Sequence, residues 1–360
     1  MRIVHLAITP VAGSPWNTVS ALNTHTNVAA RLIVLNPNAY GERTFPNDLL
    51  WERDREEAIS ALKAADAVHI HQWFDPGAWF GPEVGAICSV KPCLRQWHSV
   101  PTHYVGNDPA ALELVINSPI PQLVIGQYPE RYYPLARVVP NLVPLNDPLL
   151  TLHKQKNGEK PLLAWSPTVR ESAWDMRWGS KGYPETLPIL QRLAADGLCV
   201  LDVIENAPRG ECLSRKRKAD LVVDELVTGS YHLSGLEGLA QGKPVLGWLD
   251  ERTQLVIREM TGSNSLPWVN VHLEDVEDIL RTLLAEPSLC EVIGAESRFW
   301  MESYYNDRIL VQHYVQAYQD LLERPDMFSI GRKDDLATHW RNVQLPDLIW
   351  EARRKRAQQG

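Results

Sequence analysis

The sequence predicts an α/β protein with two doubly wound parallel-sheet halves facing a shared cleft. Three observations carry this reading. The chain has 360 residues, more than a single core usually needs. Short strands alternate with helical segments, and those strands are apolar throughout rather than every second residue, as in sheets covered on both faces. A polar, turn-rich stretch at 144–160 separates two such series.

In the first half, strands are expected at 3–8, 31–35, 67–71, 93–98, 123–125 and 138–140. A helix starts at 17–24 after a Pro/Gly loop, and residues 51–64 have helical periodicity. In the second half, strands fall at 162–165, 198–204, 221–223 and 244–248. Helices fall at 183–196, 233–241, 274–286, 289–305 and 308–323. The expected organisation is a first domain at 1–145, a linker at 146–160 and a second domain at 161–307. A helix at 308–323 and a tail at 324–360 follow, with one more helix possible at 346–356.

The composition is that of a soluble globular protein, 44% hydrophobic and 22% charged, with a net charge of −8. That charge gives no global reason to expect a nucleic-acid or anionic-membrane partner. Only the tail is basic, and its Arg353-Arg354-Lys355-Arg356 run reads as a solvated helix end. Five scattered cysteines without zinc or CxxC spacing suit a reduced, cytoplasmic protein. The first apolar run is too short for a signal peptide, and none approaches the roughly 18–20 residues of a membrane span. Several of the 13 tryptophans (Trp16, Trp73, Trp79, Trp97, Trp165, Trp174, Trp178) lie near loop-like segments. They suit either packing or stacking on sugar or base rings.

The most informative stretch is Gly229-Ser-Tyr-His-Leu-Ser-Gly-Leu-Glu-Gly-Leu-Ala-Gln-Gly-Lys-Pro244. It reads as a loop entering a helix, with Glu237 near the start, followed by a buried strand. Free N–H groups and a positive dipole end make such a helix start suitable for an anion. A carboxylate one turn further in can reach ribose or sugar hydroxyls. The N–H groups around Leu233, Ser234, Gly235 and Leu236 would face the anion.

Other candidates lie at strand ends, where open α/β sheets bind ligands. Gly13 and Ser14 follow the first strand, in a loop that lacks the GxGxxG dinucleotide fingerprint. His69 and His71 share one strand face; His69 reads as a core histidine and His71 as a possible cleft residue. His98 ends another strand and can bond a sugar hydroxyl or move a proton. Arg170 and Lys181 follow the first strand of the second half, and two fixed cations there could neutralise a leaving diphosphate without a metal.

The order of Gly13, Ala65-Asp-Ala-Val-His-Ile-His71, His98, Val139-Pro-Asn141, Ser166-Pro-Thr through Lys181-Gly182, and Gly235-Leu-Glu-Gly-Leu-Ala-Gln-Gly-Lys-Pro-Val245 resembles the GT-B glycosyltransferases. More narrowly, it resembles the retaining group called glycosyltransferase family 4, over about residues 1–323. The resemblance implies that Glu237 holds the donor ribose, Arg170 and Lys181 the diphosphate, and His98 the transferred sugar. It implies a catalytic set of His98, Arg170 and Lys181, and a donor set of Gly13, Ser14, Leu233, Ser234, Gly235, Leu236 and Glu237. His71, Asn141 and His232 are possible sugar or acceptor contacts. No metal is expected, and no cofactor beyond a nucleotide-diphosphate sugar co-substrate, with a UDP-sugar first. The final helix, 308–323, would cross back onto the first domain.

One departure stands out. The family's Glu-x7-Glu motif would place its first glutamate at Gly229, so that group is missing. His232, Ser234 or Asp224 could substitute for it. The expected partners are the donor and a glycan or lipid-linked acceptor, with a hydroxymethylated DNA base as the alternative. A nucleotide-sugar epimerase and a catalytically inactive sugar-nucleotide-binding protein are the rival readings.

Overall fold

The computed structural model describes residues 1–38, 45–152, 160–167, 169–175, 180–325 and 328. The helix expected at 346–356 and the Arg353–Arg356 run of the C-terminal tail lie outside the described residues, as does Trp178.

The first half contains β1 (Arg2–Ala7), α1 (Ser14–His25), β2 (Ala29–Val34), β3 (Leu49–Leu50), α2 (Arg55–Ala64) and β4 (Ala67–His71). It continues through α3 (Pro76–Phe80), α4 (Pro82–Val90), β5 (Cys93–Trp97), α5 (Pro101–Val105), α6 (Pro109–Ile116), β6 (Gln122–Ile125) and β7 (Arg137–Val139). Its strands form one sheet in the order β3-β2-β1-β4-β5-β6-β7, and every adjacent pair is parallel.

The second half contains β8 (Leu162–Trp165), α7 (Tyr183–Ala195), β9 (Val200–Val203), α8 (Arg209–Lys218), β10 (Leu221–Val223) and α9 (Leu233–Ala240). β11 (Val245–Gly247), α10 (Glu251–Thr261), β12 (Val269–Asn270), α11 (Val276–Ala285) and α12 (Pro287–Tyr304) complete it. Its sheet order is β12-β11-β10-β8-β9, again parallel throughout.

The short helices α3 to α6 were not expected from the sequence. Each begins with a proline at its first or second position, where the missing N–H costs nothing. Asp75 and Asp108 cap two of them by accepting from Ala78 N and Ala110 N. These Pro-bearing segments resemble loops in the sequence but act as helix starts. The expected helix at 308–323 is divided into α13 (Asp307–Leu310) and α14 (Gln312–Glu323).

α14 packs on the first sheet. Tyr318 Oη bonds His5 and His69, Tyr314 donates to the Pro140 carbonyl, and Arg137 pairs with Asp320 at 2.7 Å. One apolar cluster joins Ile3, Val34 and Leu123 of the first sheet with Val222, Leu236 and Tyr314. Part-buried polar contacts also span the halves. Arg252 donates to both Glu130 carboxylate oxygens, and Arg131 reaches Asp250. The five cysteines are all free thiols.

Candidate functional site

A cavity of about 630 Å³ opens between the two sheets. The first half contributes Pro10, Val11, Ala12 and Ser14 from the loop after β1, and His98 and Ser99 from the end of β5. Gln127 and Asn141 follow β6 and β7. The facing wall carries Ser166 after β8, Asn206 after β9, Lys181, Lys216, and the start of α9.

Backbone strain gathers here. Val11, Ala12, Gln72 and Asn206 are the non-glycine residues with positive φ among the described residues, at 46°, 52°, 71° and 52°. All four line this cavity. Such conformations cost about 1–3 kcal/mol each and persist where the surroundings enforce them, which is common at ligand sites.

The second wall is built around α9. Its cap, His232, offers no side-chain hydrogen bond to the first turn, so the Leu233 and Ser234 N–H groups are free for a ligand. Asp224, at the end of β10, accepts from His232 N at 2.8 Å and from Lys181 Nζ at 2.8 Å. Lys181 and Asp224 are both 1% exposed. The helix comes this close to Asp224 because residue 235 is glycine; a Cβ there would lie 2.3 Å from the Asp224 carboxylate. Lys216, on α8, pairs with Glu237 of α9 and reaches Ser234 Oγ at 3.4 Å. Burial works against the charge on Lys216, but Glu237, Cys212 and Asp224 outweigh it and raise its pKa. Ser234 Oγ also lies 2.7 Å from Ser166 Oγ.

On the first wall, burial lowers the His98 pKa to about 3, so the ring is neutral at physiological pH. Burial and then Lys181 lower that of His232 to about 4. Asn141 Nδ2 donates to Gln127 Oε1 at 3.4 Å, and the side-chain Oδ1 of Asn141 is buried without a protein partner. Ser14 Oγ is likewise unpartnered at the cavity wall.

Of the residues expected from the sequence, the structure brings Ser14, His98, Asn141, Lys181, His232, Leu233, Ser234 and Glu237 to this one cavity. Others do not reach it. The Arg170 side chain is 70% exposed and pairs with Glu205 at 2.8 Å, outside the lining. His71 is buried behind His98 and bonds its ring. Gly13, Gly235 and Leu236 support the walls without lining them. No tryptophan lines the cavity among the described residues; its aromatic walls are Phe45 and Tyr128.

Lys216 was not singled out from the sequence because it lies in the Arg215-Lys-Arg-Lys218 run, which resembles a solvated face. Helical spacing is the signal that finds it. Leu213 and Lys216, three apart, are both buried on the face of α8 turned toward α9.

The missing glutamate also has a structural correlate. Gly229 has φ +82°, and a Cβ there would lie 3.0 Å from the carboxylate of Asp250, which caps α10 and pairs with Arg131. This loop is shaped for glycine.

Two parallel sheets facing a common cleft, closed by a helix that returns to the first, define a GT-B fold. No family model matches this sequence, and no curated protein matches it. Solved structures match along nearly the whole chain. An α-glucosyltransferase in complex with UDP-glucose and DNA containing an abasic site is 9% identical, covering 88% of this chain and 98% of that one, with a TM-score of 0.61. HepE of Anabaena, in complex with UDP-glucose, is 12% identical over 89% and 100%, with a TM-score of 0.58. Sucrose-phosphate synthase of Thermosynechococcus elongatus is 13% identical over 89% and 99%, with a TM-score of 0.53. The shared property is the GT-B fold.

Proposed function

We propose that this protein is a glycosyltransferase that moves a sugar from a nucleotide-diphosphate sugar, with UDP as the expected nucleotide, to an acceptor hydroxyl. The observation that carries the reading is the convergence of two buried lysines, Lys181 and Lys216, with the free N–H groups of α9 at one end of the interdomain cavity. Each ammonium gives one donor to a carboxylate and keeps others for a diphosphate. As the glycosidic bond breaks, negative charge grows on the diphosphate. Fixed cations and helix N–H groups stabilise that charge more than the ground state.

In this reading Glu237, oriented by Lys216, accepts from the ribose hydroxyls. The wall formed by Ile204, Asn206 and Ala207 holds the base. His98, Asn141 and Ser14 face the sugar and acceptor from the other side. The anomeric configuration is retained, with the acceptor approaching on the leaving-group face. Side chains neutralise the departing charge without a metal. The acceptor is a glycan or lipid-linked saccharide hydroxyl. An α-glucosyltransferase of the same fold, solved with UDP and DNA containing an HMU base, supports one further arm, a hydroxymethylated base.

A panel of UDP-, GDP-, ADP- and TDP-sugars tests the reading by thermal shift and by sugar release. A ligand at 100 times its Kd stabilises the folded state by about 2.7 kcal/mol. A UDP-sugar is expected to raise Tm and to be turned over with acceptor. If no sugar nucleotide raises Tm, the reading fails.

A further inference from the structure

His98 is the outer end of a buried hydrogen-bonded chain. β1, β4 and β5 lie side by side, with His5 beside His69 and His71 beside Gln96 in register. The pleat therefore turns His5, His69, His71, Gln96 and His98 to one sheet face, the face covered by α14. His98 Nε2 lies 3.0 Å from His71 Nδ1, and His71 Nε2 lies 3.0 Å from His5 Nδ1. His5 Nε2 lies 3.1 Å from Tyr318 Oη, which lies 2.8 Å from His69 Nδ1. At the inner end, Gln96 Nε2 donates to Tyr314 Oη at 3.2 Å, and Tyr314 donates to the Pro140 carbonyl at 2.8 Å.

A neutral imidazole has one N–H donor and one acceptor nitrogen, so a chain of such rings runs in one of two directions. The Pro140 carbonyl sets which. It can only accept, so the Tyr314 hydroxyl donates to it and accepts from the Gln96 amide nitrogen. His69 Nε2 and Gln96 Oε1 are both buried with no hydrogen-bond partner in the structure, and the Gln96 amide favours a proton on the His69 ring. A proton on His69 Nε2 is the assignment that offers the Gln96 carbonyl a donor. Tyr318 must then donate to His69 Nδ1 and accept from His5 Nε2–H. His5 Nδ1 accepts from His71 Nε2–H, and His71 Nδ1 accepts from His98 Nε2–H. Run the other way, the chain would set an acceptor nitrogen of His69 against the Gln96 carbonyl, with no proton between them.

A metal ion held by His5, His69 and His71 is the competing use of the same cluster, since their ligand atoms lie within 4.8 Å of one another. Two of the three ring pairs are stacked, and the third, His5–His69, is tilted by 37°. The His69–His71 planes differ by 15° and the His5–His71 planes by 26°. Near-parallel rings point their lone pairs side by side rather than at one centre, whereas both ring nitrogens of His5 and of His71 already meet a neighbour in the chain.

We propose that this chain locks His98 as the Nε2–H tautomer, leaving Nδ1 as a hydrogen-bond acceptor for a hydroxyl of the cleft ligand, and that Tyr318 is the positioning residue holding this polarity. The ligand's identity as a sugar rests on the glycosyltransferase reading above; the tautomer does not. The docked α14 helix thereby decides whether the cleft accepts or donates a proton at His98. A group that presents a hydroxyl there is accepted, and one that presents only an ether or carbonyl oxygen is refused, because a site with a fixed acceptor leaves it unpaired.

Long-range ¹H–¹⁵N correlation spectra of histidine-labelled protein read the tautomer directly, with His98 assigned from a His98→Gln spectrum. The expected result is one neutral Nε2–H form of His98 between pH 6 and 8. In Tyr318→Phe, which keeps the ring and loses the hydroxyl, His98 is expected to become a mixture of both tautomers. Gln96→Leu removes the inner anchor without altering α14 and should produce the same mixing; it serves if Tyr318→Phe does not fold. A wild-type His98 protonated at Nδ1, a pure Nε2–H form surviving in both variants, or a stoichiometric metal ion on the purified protein overturns the proposal. No donor is needed for these spectra. A locked Nε2–H tautomer in a protein that binds no sugar nucleotide would uphold the chain and remove the glycosyltransferase reading alone.

Discussion

Lys216 of α8 and Glu237 of α9 form an ion pair at the wall of the interdomain cavity, with Lys216 fully buried. Removing one partner leaves the other charge buried alone, which costs about 3–5 kcal/mol. Lys216→Met and Glu237→Gln are therefore expected to lower both stability and sugar transfer. Combining them as Lys216→Met/Glu237→Gln removes both charges and should recover much of the stability. Transfer should stay at least about 100-fold down, since the diphosphate loses a fixed cation and the ribose its acceptor. Urea unfolding and donor turnover on all three variants read this. Recovery of turnover along with stability would make the pair structural only.

Arg170 gives the opposite expectation. Its exposed pair with Glu205 lies outside the cavity, and exposed pairs contribute little. Arg170→Ala should leave turnover within about twofold of wild type, in contrast to Lys181→Ala, whose side chain is buried on Asp224 at the cavity wall. Steady-state kinetics of the two variants side by side distinguish a cleft with Lys216 as its second cation from one that uses Arg170.

Much of this was legible in the sequence. The parallel strands announce themselves as apolar runs, and the α9 segment carries its loop, helix and strand in nineteen consecutive residues, 229–247. What sequence reasoning missed has physical causes. Prolines at the starts of α3 to α6 look like breakers until their position is known. Lys216 is indistinguishable from its charged neighbours until the register of α8 is fixed. Arg170 follows a strand end, but the direction of its side chain depends on Glu205, 35 residues away. His5 drew no attention in a run of apolar residues. Its role depends on a Tyr318 that lies 313 residues further along.

Gly229 is where the expected glutamate is missing, and restoring it should not raise turnover. With φ +82° and the Asp250 carboxylate 3.0 Å from where a Cβ would lie, Gly229→Glu places a strained residue and a second carboxylate against an existing one. Strain of this kind costs about 1–3 kcal/mol before the charge repulsion is counted. The expected outcome is a lower Tm and no gain in turnover. Gly229→Ala, which carries the strain without the charge, should lie between wild type and Gly229→Glu. An unchanged Tm in Gly229→Glu would mean that the loop rearranges freely.

The buried histidines predict how stability depends on pH. Burial lowers His5 and His98 to about 3 and His232 to about 4, and it moves His69 and His71 in the same direction. An unfolded histidine titrates near 6.5, so below that pH the unfolded chain binds protons that the folded chain refuses. Their contribution is complete above about pH 6.5 and is lost as pH falls, by about 2 kcal/mol each for His5, His98 and His232 at pH 5. Glu225 runs the other way. Burial raises it to about 8, so the folded state holds its proton and stability rises as pH falls from 8 toward 4.5. Between pH 8 and pH 5 it offsets roughly two of these rings. Urea unfolding at pH 5, 6, 7 and 8 should therefore show stability falling steeply below pH 6.5. His232→Gln should flatten that fall by the share of one ring, and Glu225→Gln should steepen it. A protein as stable at pH 5 as at pH 7 would mean that these rings take up protons in the folded state.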